Sequence, residues 1–517
     1  MTNRLVSCLL LPLALALGLA ASAHGAVRFG VTEDAGKYAD DGGATFFPTL
    51  TDLGMTQNRI TVFWDAAHPA EIQEKAFLDR SLPVAAANHI RIVFSVLPLH
   101  PTDVTSTPGG ALAFASYAAD LARTYPQVKQ FVIGNEPNQP RFWRPQFSAS
   151  GRPAAAAAYE LVLALSYDAL KAVDPTIDVI GLGLSPRGND DPHARSNVST
   201  SPVRFIHDLG VAYRASGRTR PIMDELAFHP YPNPSSGNDP LLKGYQWPNA
   251  GVPNFARIKQ AVWDAFAGTA QPTFAEAGWS LAPPAPAAPP LTLFLDETGW
   301  QAAIPRSERS AYTGRENSKT VSEATQARIY DDLVRFVECD PSVTALDLFH
   351  LVDESDLDRF QSGLVRADGT HRPSYDAVKS AIEETGGTCS GMQTWWRHST
   401  TVAGAAARFG AAHGRGRLGF GVRAKETAGF SAGIFRVGGR GLTESDRGAI
   451  AAALASGGPA PGLVARASGV VRAYWPARVA FGSRSLAPGW YVYGVRLAAF
   501  MNPSRTALLV GTPFRVG

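Results

Sequence analysis

Cysteine is scarce, with only Cys8, Cys339 and Cys389 in 517 residues. That rules out a disulfide-built scaffold and any thiolate metal cluster. The histidines never fall in H-E-x-x-H or comparable ligand spacing, so neither a metal nor another cofactor is expected. The first strand-to-helix turn has no G-x-G-x-x-G phosphate cradle, which speaks against a doubly wound nucleotide-binding sheet. Beyond the N-terminus no apolar run approaches the roughly 18 residues of a membrane span, and nothing marks a nucleic-acid partner. No internal repeat is evident. With 45% hydrophobic and 18% charged residues, the chain can bury a large core and build two domains or more.

The N-terminus is the exception to the lack of long apolar runs. Residues 1–23 join a basic start, Arg4, to VSCLLLPLALALGLAASA and end in Ala21-Ser22-Ala23. This order fits a secretory signal peptide, so a secreted protein beginning near His24 is expected. Cys8 would leave with that segment. Cys339 and Cys389 remain as a pair in an oxidising compartment, where a disulfide between them is expected and two buried thiols are the alternative.

Charge is unevenly divided. Residues 391–517 hold 16 Lys and Arg against 3 Asp and Glu, whereas residues 1–390 hold 32 against 42. The basic portion could hold an exported protein against an acidic polysaccharide or the cell envelope. Alternatively its arginines, 15 of the 16 basic residues, decorate the solvent face of a sheet.

From 27 to 385 short apolar or β-branched runs alternate with longer alanine-rich stretches. The runs are VRFGV, RITVF, IRIVFSVL, FVIG, IDVIGLGL, MDELAF, LTLFLDE and TALDLFHL. Eight strands alternating with helices predict a (β/α)8 barrel over residues 24–388, with the proline-rich APPAPAAPP from 282 a loop excursion inside it. Past TGGTCSG at 385–391, short alternating runs separated by turns predict an antiparallel β-sandwich over 391–517, interrupted by a helix in LTESDRGAIAAALASGG.

In such a barrel the chemistry sits at the C-terminal strand ends. The fourth run ends in Asn135-Glu136-Pro137, the sixth in His229-Pro230-Tyr231, the seventh in Asp296-Glu297-Thr298-Gly299-Trp300, and the second carries Arg59 and runs to Trp64 and Asp65. A carboxylate at the end of a buried strand is costly unless paired or neutralised. Positions four and seven of a ring of eight place Glu136 and Glu297 across the mouth from one another. Two carboxylates facing over a sugar-sized gap suit glycosidic bond cleavage: ~5 to 5.5 Å apart for retention, ~6.5 to 9.5 Å for inversion.

GNEPN, HPYP, LDETGW and RITVFW, in that order, resemble the clan A glycoside hydrolases, families 5 and 39 in particular, and GLVRADGTHRPSYDAV at 363–378 is similar to the passage after their eighth strand. The resemblance spans about residues 27–385 and implies a retaining glycosidase acting on a carbohydrate, most often a β-glycoside of the gluco or xylo kind. It implies Glu136 as acid/base and Glu297 as nucleophile. It further implies Asn135 on the sugar 2-hydroxyl, His229 and Tyr231 between the carboxylates with Tyr231 donating to Glu297, and Arg59 beneath Glu297. Plainer roles exist for each: a rim salt bridge for the glutamates, a helix cap for Asn135, core packing for His229 and Tyr231, and pairing with Asp65 or Asp296 for Arg59.

Glu276, in TFAEAGW, repeats the E-x-G-W shape but follows too short an apolar run to end a barrel strand. Trp64, Trp143 and Trp300, then Trp247 and Trp279, are candidate platforms for sugar C–H faces, and His100, His350 and Asp353 also fall at strand ends. In the C-terminal portion Trp395, Trp396, Trp475 and Trp490 either bind carbohydrate or pack the sheets. Transglycosylation at the same site and a non-catalytic polysaccharide-binding or envelope protein are the alternative functions.

Overall fold

The computed structural model describes residues 25–233, 241–276, 289–410, 417–483 and 486–517. The expected signal peptide, Trp279 and most of the proline-rich stretch lie outside the described residues.

Eight parallel strands close a barrel in sequence order. They are β1 (Arg28–Thr32), β2 (Gln57–Trp64), β3 (Arg91–Pro98), β4 (Gln130–Ile133), β5 (Asp178–Leu184), β6 (Glu225–Phe228), β7 (Thr292–Thr298) and β8 (Val343–Leu348), and β8 pairs back onto β1. Each expected apolar run forms one of them. A strand enclosed by a helical layer is buried on both faces, and this is why the runs are near-continuously apolar rather than alternating. Val93, Val132, Ile180, Ala227, Phe294 and Ala345 meet inside the barrel as one packed cluster. The alanine-rich stretches form helices such as Gly110–Thr124, Ala155–Val173, Phe255–Phe266 and Glu323–Glu338, which bury one face on the strands. Ser322 caps the last of these, its side chain accepting from the Thr325 amide.

The final barrel helix, Pro373–Thr385, stops at Gly386, whose φ of 59° is the left-handed C-terminal cap that glycine adopts without strain. The next residue ties the ring shut, the Val27 amide donating to the Gly387 carbonyl at 2.8 Å. Cys339, capping helix Glu323–Glu338, is disulfide-bonded to Cys389 across 50 residues of chain.

The C-terminal region is all antiparallel apart from one helix. Strands β9 (Ala406–Phe409), β10 (Arg417–Arg423), β11 (Ala428–Val437), β12 (Leu463–Val471), β13 (Ala477–Ser483), β14 (Gly489–Ala499), β15 (Thr506–Val510) and β16 (Phe514–Val516) form two sheets. One has the order β13-β10-β9; the other has the order β12-β11-β14-β15, with β16 also on β14. Phe420, Val422, Ile434, Tyr493 and Val495 are among the side chains packed between them. The expected helix runs Glu444–Ser456 behind a Thr443–Asp446 capping box and lays Ile450, Ala453 and Leu454 on Phe435 and Val492.

Helix Phe255–Phe266 contributes much of the contact between the two regions. Its Asp264 pairs with Arg505 at 3.0 Å, and Arg505 in turn grips Glu426. Trp263 stacks on His398 at 4.1 Å between ring centres. Trp396 buries itself against the barrel core, not between the sheets. Among the described residues no helix is long and apolar enough to cross a membrane.

Candidate active site

The C-terminal ends of the barrel strands open into a cavity of about 1770 Å³ whose lining includes Arg59, Asn135, Glu136, Tyr231, Glu297 and Trp300. Glu136 arrives there through an irregular turn. Gly134, with φ 82°, takes the chain out of β4, and Glu136 itself has φ 38°, a conformation uncommon for a residue with a side chain. The turn is held from both sides: the Gly134 amide donates to the Val96 carbonyl at 2.8 Å, and the Glu136 amide to the Gly183 carbonyl at 2.9 Å. Tyr159 locks it from below, its hydroxyl donating to the Ile133 carbonyl at 2.5 Å and accepting from the Leu182 amide at 2.7 Å.

Glu297 stands at the end of β7, and one carboxylate oxygen of Glu297 lies within 4.8 Å of one of Glu136. The surroundings of the two differ. Glu297 accepts from the Tyr231 hydroxyl at 2.8 Å and from Arg59 Nη1 at 3.3 Å. The aromatic ring of Tyr231 is wedged edge-on against Phe349 and tilted against Phe360, which fixes its hydroxyl. Among the described residues the Glu136 side chain is met by His229 alone, Nδ1 to Oε1 at 3.1 Å, and the same nitrogen stands 3.7 Å from Glu297.

Arg59 organises the floor. Its Nη2 donates to Asn135 Oδ1 at 2.6 Å and to Ser95 Oγ at 2.9 Å, and its Nε pairs with the fully buried Asp296 at 3.1 Å. A guanidinium suits this position because its planar fork serves several acceptors at once and it stays charged when buried. His229 is buried completely, with Nε2 3.2 Å from Asp296 Oδ1. Burial disfavours its charged form, but the charges of Glu297 and Asp296 and the contacts to Asp296 and Glu136 outweigh it and push the imidazole up to about 10. Burial likewise works against ionised Asp296, and the charges of His229 and Arg59 reverse the sign and hold it below the ordinary carboxylate value. Tyr231 is raised well above its ordinary value, by burial first and then by the Glu297 charge, so it remains a hydroxyl donor.

Glu136, His229 and Glu297 are close enough for their ligand atoms to hold a metal ion together. The donor set does not fit one. Each ring nitrogen of His229 faces a carboxylate, and an imidazolium so placed has no lone pair to offer.

Arg59, Asn135, Glu136, His229, Tyr231 and Glu297 therefore form one connected cluster. Of the two partners weighed for Arg59, Asp296 is in contact, while Asp65 stands apart with His68 and Gln73. Trp300 borders the cavity but is only 3% exposed, its ring edge-on to Tyr330. Trp64 and Trp143 do not border it: both are buried packing residues, Trp64 edge-on to Phe114 and Trp143 edge-on to Tyr159, because a strand-end indole that turns inward finds the helical layer. Trp247 is half-buried against the barrel core. Glu276 is bound to His398 at 2.6 Å near the opposite, N-terminal end of β7, where Phe274 pairs with Leu291. His350 lines the cavity, 3.1 Å from Glu33. His100 stays outside with Asp103, and Asp353 is a structural anchor for Tyr312 and Arg372.

Sequence reasoning missed Glu33, at the end of β1, and the role of Asp296 beneath the site. Glu33 carries the same strand-end signal as Glu136, in VTE, and Asp296 sits in plain view as the first acid of LDETGW.

No protein-family model matches the chain, and no curated protein matches it. Its structural neighbours are glycoside hydrolases. They include a family 39 glycoside hydrolase from Bacteroides cellulosilyticus WH2, with TM-score 0.45 and 15% identity over 82% of this chain and 74% of that one. A monomeric beta-xylosidase from Caulobacter crescentus CB15 has TM-score 0.45 and 15% identity over 89% and 94%. An exo-beta-1,4-mannosidase from Opitutaceae bacterium strain TAV5 has TM-score 0.41 and 15% identity over 70% and 61%.

Proposed function

We propose that the chain is a secreted O-glycoside hydrolase that cleaves by double displacement with retention, Glu297 attacking the anomeric carbon and Glu136 serving as acid and then base. The observation that carries this reading is the pair itself: two glutamates from strands on opposite sides of one barrel mouth, with carboxylate oxygens within 4.8 Å. That spacing supports retention, since an inverting pair needs ~6.5 to 9.5 Å to admit a water.

The asymmetry around the pair supports the division of labour. A nucleophile must be ionised and aimed, and Glu297 has Arg59, the Tyr231 hydroxyl and, at 3.7 Å, His229 around it, where Glu136 has His229 alone among the described residues. Asn135 has its Oδ1 taken by Arg59, so its amide nitrogen is left to donate to a sugar hydroxyl beside Glu297. When Glu136 gives its proton to the leaving oxygen, the neighbouring imidazolium of His229 stabilises the carboxylate that forms. The cavity exceeds the ~300 to 1,000 Å³ of a typical small-ligand site, which favours a substrate of several sugar rings. Export rests on the N-terminal segment, with the Cys339–Cys389 bond in support; N-terminal sequencing of the protein from culture medium should begin near His24.

The test is hydrolysis of a panel of aryl glycosides by the mature protein beside Glu136→Ala and Glu297→Ala, each with azide. Glu297→Ala is expected to lose turnover and, with azide, to yield an inverted glycosyl azide. Glu136→Ala should fall about 10²- to 10⁴-fold and yield the retained azide. A fully active Glu297→Ala would overturn the assignment.

A further inference from the structure

The loop between β12 and β13 presents two adjacent aromatic side chains that the barrel chemistry does not use. Trp475 is 71% exposed and Tyr474 39% exposed. The loop holding them is fixed in place: the Tyr474 amide donates to the Ala424 carbonyl at 2.9 Å, the Ala473 amide to Thr427 Oγ1 at 3.2 Å, and the Trp475 amide to the Arg472 carbonyl at 3.0 Å. Tyr474 has φ 66°, a left-handed conformation that a bulky residue keeps only where its surroundings impose it. A loop whose backbone is already fixed loses little freedom when the indole it carries binds something, which is the economy of a preformed contact.

The position of the loop says what that something is. Arg257, in the first turn of helix Phe255–Phe266, donates from Nη2 to the Tyr474 hydroxyl at 3.4 Å and from Nη1 to the Tyr245 carbonyl at 2.9 Å. Tyr245 lines the catalytic cavity. The helix follows the loop after β6, so its first turn faces the rim where the strands end. Tyr474, and with it the loop that carries Trp475, is thus tied through one arginine to the wall of the cavity.

We propose that Trp475, assisted by Tyr474, is a remote sugar-binding platform on which a glycan chain leaving the catalytic cavity past Tyr245 stacks the C–H face of a ring. The choice of a glycan rests on the glycosidase reading; the existence of a built platform rests on the loop. The C-terminal region then extends the cleft, and the enzyme favours long chains over short ones.

The experiment uses the full mature chain carrying Glu136→Gln, so that bound polymer is not cut, with and without Trp475→Ala. Both are run by affinity electrophoresis through gels containing xylan, mixed-linkage β-glucan, mannan or polygalacturonate. Trp475 is exposed, and an unchanged melting temperature will show that its variant folds. Retardation by at least one glycan, lost in Trp475→Ala, is expected. In the otherwise wild-type enzyme the same substitution should raise KM for that polymer about 5- to 10-fold with little change in kcat. Three results overturn the platform: no retardation in any gel, retardation that Trp475→Ala leaves intact, or retardation by polygalacturonate alone that 0.5 M salt abolishes, which reports the basic surface. Retardation lost in Trp475→Ala, from a chain that in its otherwise wild-type form cleaves neither the aryl glycosides nor the retarding polymer, upholds the platform and sinks the hydrolase reading instead.

Discussion

Tyr231 and Arg59 both touch Glu297, yet they act on it differently. Arg59 also holds Asn135, Ser95 and Asp296, so its loss would collapse the floor of the site. Tyr231 gives Glu297 a single hydrogen bond from a ring already fixed by Phe349 and Phe360. Tyr231→Phe therefore removes one donor and little else. Steady-state kinetics should show kcat down about 10- to 100-fold with KM nearly constant, the worth of one hydrogen bond to a charged group. A second residue reports on stability. Asp347, at the buried end of β8, is pushed up to about 8, chiefly by burial and further by the charge of Asp296, against the pull of its bond from Gln57. A carboxyl raised in the folded state favours folding most below its unfolded value near 3.8, and that contribution drains away as pH climbs towards about 8. Asp347→Asn is free of this slope. Urea midpoints of the two proteins should draw apart in favour of the variant between pH 4 and 8; parallel curves would contradict the assignment.

At the scale of elements, the turn after β4 decides where the acid stands. Its sequence, IGNEP, puts a glycine where φ is 82° and where an added Cβ would come within 3.2 Å of the Tyr159 ring. Tyr159 cannot retreat, because its hydroxyl bridges β4 to β5. Gly134→Ala should cost about 1 to 3 kcal/mol, seen as a lower melting temperature. It should also reduce kcat more than the change in folded fraction explains, because the strain falls two residues from Glu136. The left-handed φ of Glu136 itself is stored strain of the kind that clusters at functional sites, and the hydrogen bond to Gly183 maintains it.

For the whole molecule, two devices join distant parts. The Cys339–Cys389 bond pins the C-terminal chain to the last barrel helices and closes a loop of 50 residues, for which chain-entropy reasoning gives about 4 kcal/mol. Cys389→Ser, or reductant, should lower the unfolding temperature of the barrel measured by calorimetry. The second device is Arg505, buried between Asp264 of the barrel and Glu426 of the sheets. Arg505→Ala leaves two buried carboxylates without their cation, a loss of about 3 to 5 kcal/mol. The expected signature is a single melting transition splitting into two as the regions uncouple.

Much of this was written in the order of residues. Eight apolar runs between helical stretches foretold the closed ring, because strands buried on both faces must be apolar throughout, and chain order alone then set the ends of β4 and β7 across the mouth from one another. Strand β9 escaped notice because AARF is too short and small-sided to show alternation. Sequence could also name Glu136, Glu297, His229 and Tyr231, since strand-end polar residues have few places to point. What only the folded molecule decided was distance and facing: that the carboxylates come within 4.8 Å, that Arg59 reaches Asp296 and Glu297 together, that Trp64 and Trp143 turn inward while Trp300 meets the cavity, and that Tyr474, beside Trp475, meets Arg257. Those facts depend on rotamers and on contacts between residues a hundred or more positions apart, which local pattern does not encode and packing alone selects.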